Sequence, residues 1–149
     1  MISLRAKIVG VGSYLPEQIL DNEALSQMVD TSDEWIISHT GMKERRISDI
    51  PTWKMGMIAA ERALESAHVP PEEIDMIIGT TATPDFFFPS MSCVVQGQIG
   101  AKNAFCFDLS AACSGFVYAL ETAQHFIAGG RAENVLIVSS ESLSKVTDY

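Results

Sequence analysis

A chain of 149 residues, 47% hydrophobic and 19% charged, is long enough for one domain with a core and too apolar for a disordered segment. Its net charge of -9, with no cationic cluster larger than Lys43-Glu44-Arg45-Arg46, argues against a nucleic-acid partner. No apolar run approaches the ~20 residues that span a bilayer, and the start lacks the apolar core and cleavage site of a secretory leader, so no membrane is expected and a cytoplasmic location is.

In chain order, Lys7-Ile8-Val9-Gly10-Val11-Gly12-Ser13-Tyr14 predicts a strand ending in a glycine turn. The G-x-G there is a weak phosphate signal, because no further G-x-x-G or lysine-serine pair follows. Asp21 is a plausible cap for a helix starting at Asn22. Thr31 or Ser32 caps another, with Asp33 and Glu34 at its positive end and Gly41 at its stop. Residues 43–52 predict a loop. Its three cations within four residues suit either a solvated surface or a docking point for an anionic group.

Met55, Ile58, Ala59, Ala63 and Ala67 recur at helical spacing, and Pro70-Pro71 ends that helix. Residues 74–81 form a buried strand, and a loop rich in Pro and Phe runs to Pro89. Residues 91–99 predict a helix closed by Gly100, residues 104–109 a strand, residues 114–128 a helix ending at Gly129-Gly130, and residues 134–140 a last strand. The alternation predicts an α/β fold with a mainly parallel sheet and helices on both faces.

The three cysteines, Cys93, Cys106 and Cys113, have no metal-ligand spacing, and their odd number suits no disulfide framework. Cys106 lies mid-strand between two phenylalanines and Cys93 inside a helix, and packing accounts for both. Cys113 differs. It follows the strand Phe107-Asp108-Leu109 and the small residues Ser110-Ala111-Ala112, at the mouth of the apolar helix beginning Ser114-Gly115-Phe116. Small residues permit a sharp turn and close substrate approach. A helix N-terminus favours a thiolate and can hold an oxyanion. The apolar helix is expected to be buried and to exclude water.

A cysteine nucleophile normally needs a base. His125 lies twelve residues along the same helix, ~18 Å of rise away. His68 sits before Pro70, and His39 follows the Trp35 helix, where it could line a pocket entrance. None completes a catalytic constellation with Cys113.

Nearly the whole chain resembles the first half of the β-ketoacyl-acyl-carrier-protein synthase III family. The motifs are Gly12-Ser13-Tyr14-Leu15-Pro16, Val29-Asp30-Thr31-Ser32-Asp33-Glu34-Trp35-Ile36, Thr40-Gly41-Met42-Lys43-Glu44-Arg45, Phe88-Pro89-Ser90, and Asp108-Leu109-Ser110-Ala111-Ala112-Cys113-Ser114-Gly115-Phe116. The resemblance implies a thiolase-like fold of which residues 1–149 form one incomplete half, with the C-terminal half and a strand completing this half's sheet outside the chain. It implies acyl transfer from an acyl-coenzyme A to Cys113 and decarboxylative condensation with malonyl-acyl carrier protein, initiating fatty acid synthesis. No metal or resident cofactor is implied, coenzyme A entering as the substrate thioester.

Within the resemblance, Thr31 and Trp35 fall on positions that contact the coenzyme A adenine region, and Phe88 on a phenylalanine reaching a neighbour's acyl pocket across a homodimer. The family usually carries an arginine where this chain has His39, and histidine stacks and charges more weakly near neutral pH. The histidine and asparagine that drive decarboxylation belong to the second half. Lys43, Arg45, Arg46 and Arg131 are candidates for docking an acidic carrier protein, and the 104–109 strand for pairing with a second copy. A thiolase-fold acyltransferase of secondary metabolism and an inactive dimerisation scaffold are the alternative functions.

Overall fold

Two side-chain caps and one glycine shape the first part of the chain. In this computed structural model, which describes residues 5–148, a short strand β1 (Ile19–Asp21) leads into helix α1 (Asn22–Ser26), where the Asp21 carboxylate accepts the Ala24 N–H at 2.8 Å. Helix α2 (Asp33–Thr40) is capped by the Ser32 hydroxyl and stopped by Gly41 at φ 72°, a left-handed position that favours glycine. Strand β2 (Glu44–Arg46) then pairs antiparallel with β1. These elements lie in a unit comprising Leu15–Asp49 and Ser142–Tyr149. Met1 to Leu4, on which the expectation about a leader partly falls, and Tyr149 lie outside the described residues.

The β1–β2 ribbon stands where sequence predicts a loop. Buried Asn22 accounts for it: its amide donates to Asp33 Oδ1 at 2.7 Å and to the Met42 carbonyl at 2.9 Å, and its Oδ1 accepts from Arg45 Nη2 at 2.8 Å. A network of three residues distant in sequence, rather than strand propensity, sets the pairing.

The larger unit holds the stretch ending at Tyr14 and Ile50–Glu141. Helix α3 (Thr52–Ala67), strand β3 (Met76–Thr80), helix α4 (Met91–Ile99), strand β4 (Phe105–Leu109), helix α5 (Gly115–Ala128) and strand β5 (Val135–Ser139) follow in order. The three strands are wholly parallel in the order β4-β3-β5. Each connection carries a helix, as parallel pairing requires.

Central β3 is buried throughout, with Met76, Ile77 and Ile78 fully enclosed. Strand alternation sends Ile77 to the face covered by α3 and α4, beside Leu64, Met91 and Val95. Met76 and Ile78 meet Ala119 and Ala123 of α5 on the other face. Each such side chain contributes about 1.5–3 kcal/mol of burial.

Residues 7–14 form no strand, contrary to the expectation from their apolar pattern. They cross α3 instead. A Cβ on Gly10 would lie 2.5 Å from the Ala63 carbonyl oxygen, and one on Gly12 2.2 Å from that of Ala59. The two glycines thus serve close backbone approach to a helix and not a phosphate loop. Ala6 N–H donates to Gln124 Oε1 at 2.7 Å, and Arg62 Nη1 to the Ser13 carbonyl at 2.6 Å. Residues 6–12, α3, α5 and β5 enclose a groove of about 890 Å³, so among the described residues the ladder ends at β5.

Candidate active site

The larger unit places Cys113 at the carboxyl end of β4. After Leu109 the backbone turns through Ala111 (φ -142°, ψ 20°) and Ala112 (φ 44°), and the single-turn 3₁₀ helix Ala112–Ser114 carries Cys113 to the first turn of α5. Left-handed Ala112 costs about 1–2 kcal/mol. The turn is held from both ends. Ser114 N–H donates to the Ala111 carbonyl at 3.1 Å, and Gly115 lets α5 begin directly against β3, where a Cβ would lie 3.1 Å from Thr80 Cβ. Thr80 is itself tied by its hydroxyl to Ser139 Oγ at 2.6 Å.

Cys113 is exposed, and no side chain caps the N-terminal end of α5. This is a thiol presented at a helix start with its approach open. The expected dry surroundings are not met by this chain: Phe116, Val117 and Tyr118 are all exposed. Only the stripe containing Ala119 and Ala123 packs on the sheet, leaving one apolar face of α5 without cover among the described residues.

Two acidic residues prominent here were not singled out by sequence. Asp108 accepts the Met91 N–H at 2.7 Å and the Ser92 N–H at 2.9 Å, so β4 caps α4 across the sheet edge. Gly79 makes room for it, since a Cβ there would lie 2.2 Å from Asp108 Oδ1. Glu141 accepts from Ala82 N–H at 2.7 Å and Thr83 Oγ1 at 2.5 Å, anchoring the start of the loop that carries Phe88. Asp108 followed by a small-residue turn was the available signal; Glu141, about sixty residues from its partners, left none.

Phe88 sits on that loop, 90% exposed, next to Phe86 and fully exposed Phe87. Three consecutive uncovered phenylalanines are unusual for a monomer surface.

The smaller unit holds the other three residues, gathered at α2. Trp35, 56% exposed, stacks on His39 one turn later, with ring centroids 4.3 Å apart and planes 21° from parallel. His39 Nδ1 lies 2.8 Å from the Trp35 carbonyl oxygen and 3.0 Å from Ser38 Oγ, which holds the ring over Trp35. Thr31 precedes the Ser32 cap and lines a cavity of about 490 Å³ with Asp21, Glu23, Asp33 and Lys43. Trp35 is therefore a surface ring platform and not a core anchor.

The remaining candidates separate. Arg45 is half-buried and holds Asn22 and the Leu20 carbonyl, so it is structural. Arg46 bonds the Pro16 carbonyl and pairs with Glu44 at 3.2 Å. Lys43 and Arg131 are exposed. His125 Nδ1 bonds the Glu121 carbonyl four residues back, and His68 ends α3 in a left-handed conformation. No group of His, Cys, Asp and Glu among the described residues could hold a metal ion, and no described helix is long and apolar enough to cross a membrane.

A parallel sheet covered on both faces, delivering a thiol from a strand end to the start of an apolar helix, defines a thiolase-like half-fold. Residues 107–149 match the family model of 3-oxoacyl-(acyl-carrier-protein) synthase III. The chain is 55% identical over 144 residues to the β-ketoacyl-(acyl-carrier-protein) synthase III of Clostridium acetobutylicum, covering 96% of this chain and 44% of that protein. The crystal structure of the Aquifex aeolicus 3-oxoacyl-(acyl-carrier-protein) synthase III superposes with a TM-score of 0.93 at 51% identity, over 95% of this chain and 46% of that one. A priming β-ketosynthase from a polyketide biosynthetic pathway gives 0.93 at 38% identity, over 99% and 46%. The chain spans under half the length of these relatives, and over that span it resembles the N-terminal half of a β-ketoacyl-acyl-carrier-protein synthase III.

Proposed function

We propose that this chain supplies the nucleophile and part of the coenzyme A entrance of a condensing enzyme that initiates fatty acid synthesis. The observation that carries the proposal is Cys113, exposed at the strand-to-helix turn of a family fold. Its thiolate attacks the thioester carbonyl of an acyl-coenzyme A, the carbon–sulfur bond to coenzyme A breaks, and the acyl group stays on Cys113. Malonyl-acyl carrier protein then loses carbon dioxide, and its α-carbon attacks the acyl-cysteine carbonyl. The carbon–sulfur bond to Cys113 breaks, releasing a β-ketoacyl-carrier product. The residues that promote decarboxylation come from the second half of the family fold, and the chain alone is inactive in this account.

The Trp35–His39 platform beside the Thr31 cavity suits the adenine end of coenzyme A, where an exposed ring offers a stacking face. The Phe86-Phe87-Phe88 run suits contact with a second copy, as does β4, which is less buried than β3 and has a strand on one side only. Lys43 and Arg131 remain for an acidic carrier protein. A cytoplasmic homodimer is the proposed setting.

The polyketide-pathway relative keeps a secondary-metabolism acyltransferase as the second reading, though identity to the fatty-acid synthases is higher. Product analysis separates the readings. With the remaining half supplied, an acyl-coenzyme A and malonyl-acyl carrier protein give a β-ketoacyl-carrier product that Cys113→Ala abolishes. A product built on another acceptor would favour the second reading, and activity unchanged by Cys113→Ala would favour a scaffold.

A further inference from the structure

Outside the Cys113 turn, two other thiols meet. Cys106 on β4 shares register with Ile77, so strand alternation points it to the face under α4. Cys93 lies in the first turn of α4. The two sulfurs are 3.2 Å apart, and both residues are half-buried, so neither is sealed from small solutes.

A third side chain gives the pair a direction. The Gln96 amide donates to the Ala101 carbonyl at 3.3 Å and to the Ala104 carbonyl. That fixes its rotamer and leaves Oε1 facing Cys106 Sγ at 3.2 Å as an acceptor. Cys106 Sγ thus has two acceptors for its proton, Cys93 Sγ and Gln96 Oε1, each at 3.2 Å, and Cys93 sulfur is the accepting member of the thiol pair. Burial above all, then the neighbouring Cys93 sulfur, pushes the Cys106 thiol up to about 12. Packing explains each cysteine alone, but not two sulfurs in contact beside an acceptor with its orientation fixed.

We infer that Cys93 and Cys106 form a hydroperoxide-reactive dithiol site, in which Cys93 is oxidised first and Cys106 resolves it as an intramolecular disulfide between α4 and β4. In the first step the Cys93 sulfur attacks hydrogen peroxide, the O–O bond breaks, and Cys93 becomes a sulfenic acid with release of one water. In the second, Cys106 sulfur attacks Cys93 sulfur, the S–O bond breaks, and the hydroxyl leaves with the Cys106 proton as a second water. Two thiols are oxidised and one peroxide is reduced. The sulfurs need to close by roughly 1 Å to reach the ~2.05 Å of a disulfide, which a side-chain adjustment on one helix turn supplies.

The test uses the 149-residue chain carrying Cys113→Ser, so that the exposed thiol does not compete. After dilute hydrogen peroxide and denaturation in N-ethylmaleimide, intact mass is expected to fall by two hydrogens with no maleimide added, and peptide mapping to join Cys93 to Cys106. Dithiothreitol is expected to restore both maleimide adducts. The closed loop of fourteen residues from Cys93 to Cys106 is expected to raise the thermal midpoint by roughly 5 °C. Oxygen added to either sulfur with the two unlinked, or a crosslink joining two chains, would overturn the inference. In the same background Cys106→Ser is expected to give a dimedone-reactive Cys93, and Cys93→Ser to leave Cys106 unoxidised at the same dose; dimedone on Cys106 instead would overturn the order of attack. Peptide mapping of the unsubstituted chain repeats the crosslink result without any substitution.

Discussion

The Asp108 carboxylate, five residues before Cys113, accepts the Met91 N–H at 2.7 Å. The same carboxylate takes the Ser92 N–H at 2.9 Å. One acidic side chain at the end of β4 thereby fixes the start of α4 and the strand end from which the Cys113 turn departs. Asp108→Ala leaves two N–H groups near the buried residues Met91 and Ser92 without that acceptor, and is expected to cost about 1–3 kcal/mol in urea denaturation. Asp108→Asn keeps one acceptor oxygen and is expected to lose less.

Gly12 and Gly97 make opposite predictions for the same substitution. Gly12→Ala drives a methyl into the Ala59 carbonyl of α3. It is expected to destabilise by about 1–3 kcal/mol and to speed hydrogen exchange in residues 6–14. Gly97 lies inside α4 with nothing within 4 Å of a Cβ. Gly97→Ala is expected to stabilise by about 0.5–1 kcal/mol. Equal effects in denaturant would contradict the packing of residues 6–14 on α3.

Cys106 gives a pH dependence with a definite sign. Its folded-state value, about 12, lies above the ordinary 9.0. The unfolded chain therefore loses this proton first as pH rises, and the folded chain keeps it. The thiol's contribution to stability is complete below pH 9.0 and is lost as pH rises through about 12. Cys106→Ala is expected to flatten the fall in stability across that window, measured against the parent chain. At about pH 8, iodoacetamide is expected to label Cys113 well before Cys106, because the thiolate is the nucleophile.

The ring platform is tested by titration. Trp35→Ala is expected to weaken binding of coenzyme A several-fold, on the ~1 kcal/mol scale of an aromatic stacking contact. His39→Arg is expected to strengthen it, because arginine stays charged and stacks on a planar base. Isothermal titration of both variants checks this, and Trp35→Ala binding as tightly as the parent would remove the platform from the account.

What was legible in the sequence followed local chemistry. The Ser32 cap and Gly41 stop of α2, the Gly100 stop of α4 and the apolar run of β3 all carry their signals within a few residues. Cys113 was legible for the same reason, being the thiol between a strand and a helix with small neighbours. The misses depend on distant partners. Residues 7–14 have a strand-like pattern, but their glycines answer to α3. Helix α3 starts at Thr52, ahead of the first periodic residue, because Trp53 N–H finds Asp85 Oδ2 at 3.0 Å and Thr52 Oγ1 finds the Thr83 carbonyl at 2.9 Å. The Cys93–Cys106 contact and the stacking of His39 on Trp35 needed the fold and the side-chain rotamers, which spacing alone does not give. The apolar α5 face was correctly read as apolar, but its cover is not supplied by the described residues.

The central claim is that Cys113 accepts the acyl group, and trapping that intermediate tests it most directly. The chain, with the second half of the fold supplied, is incubated with acetyl-coenzyme A, quenched in acid and mapped by peptide mass spectrometry. The account predicts one acetyl group, removable by hydroxylamine, on the peptide containing Cys113, with Cys93 and Cys106 unmodified. No adduct at Cys113, or an adduct that persists in Cys113→Ala, would contradict it.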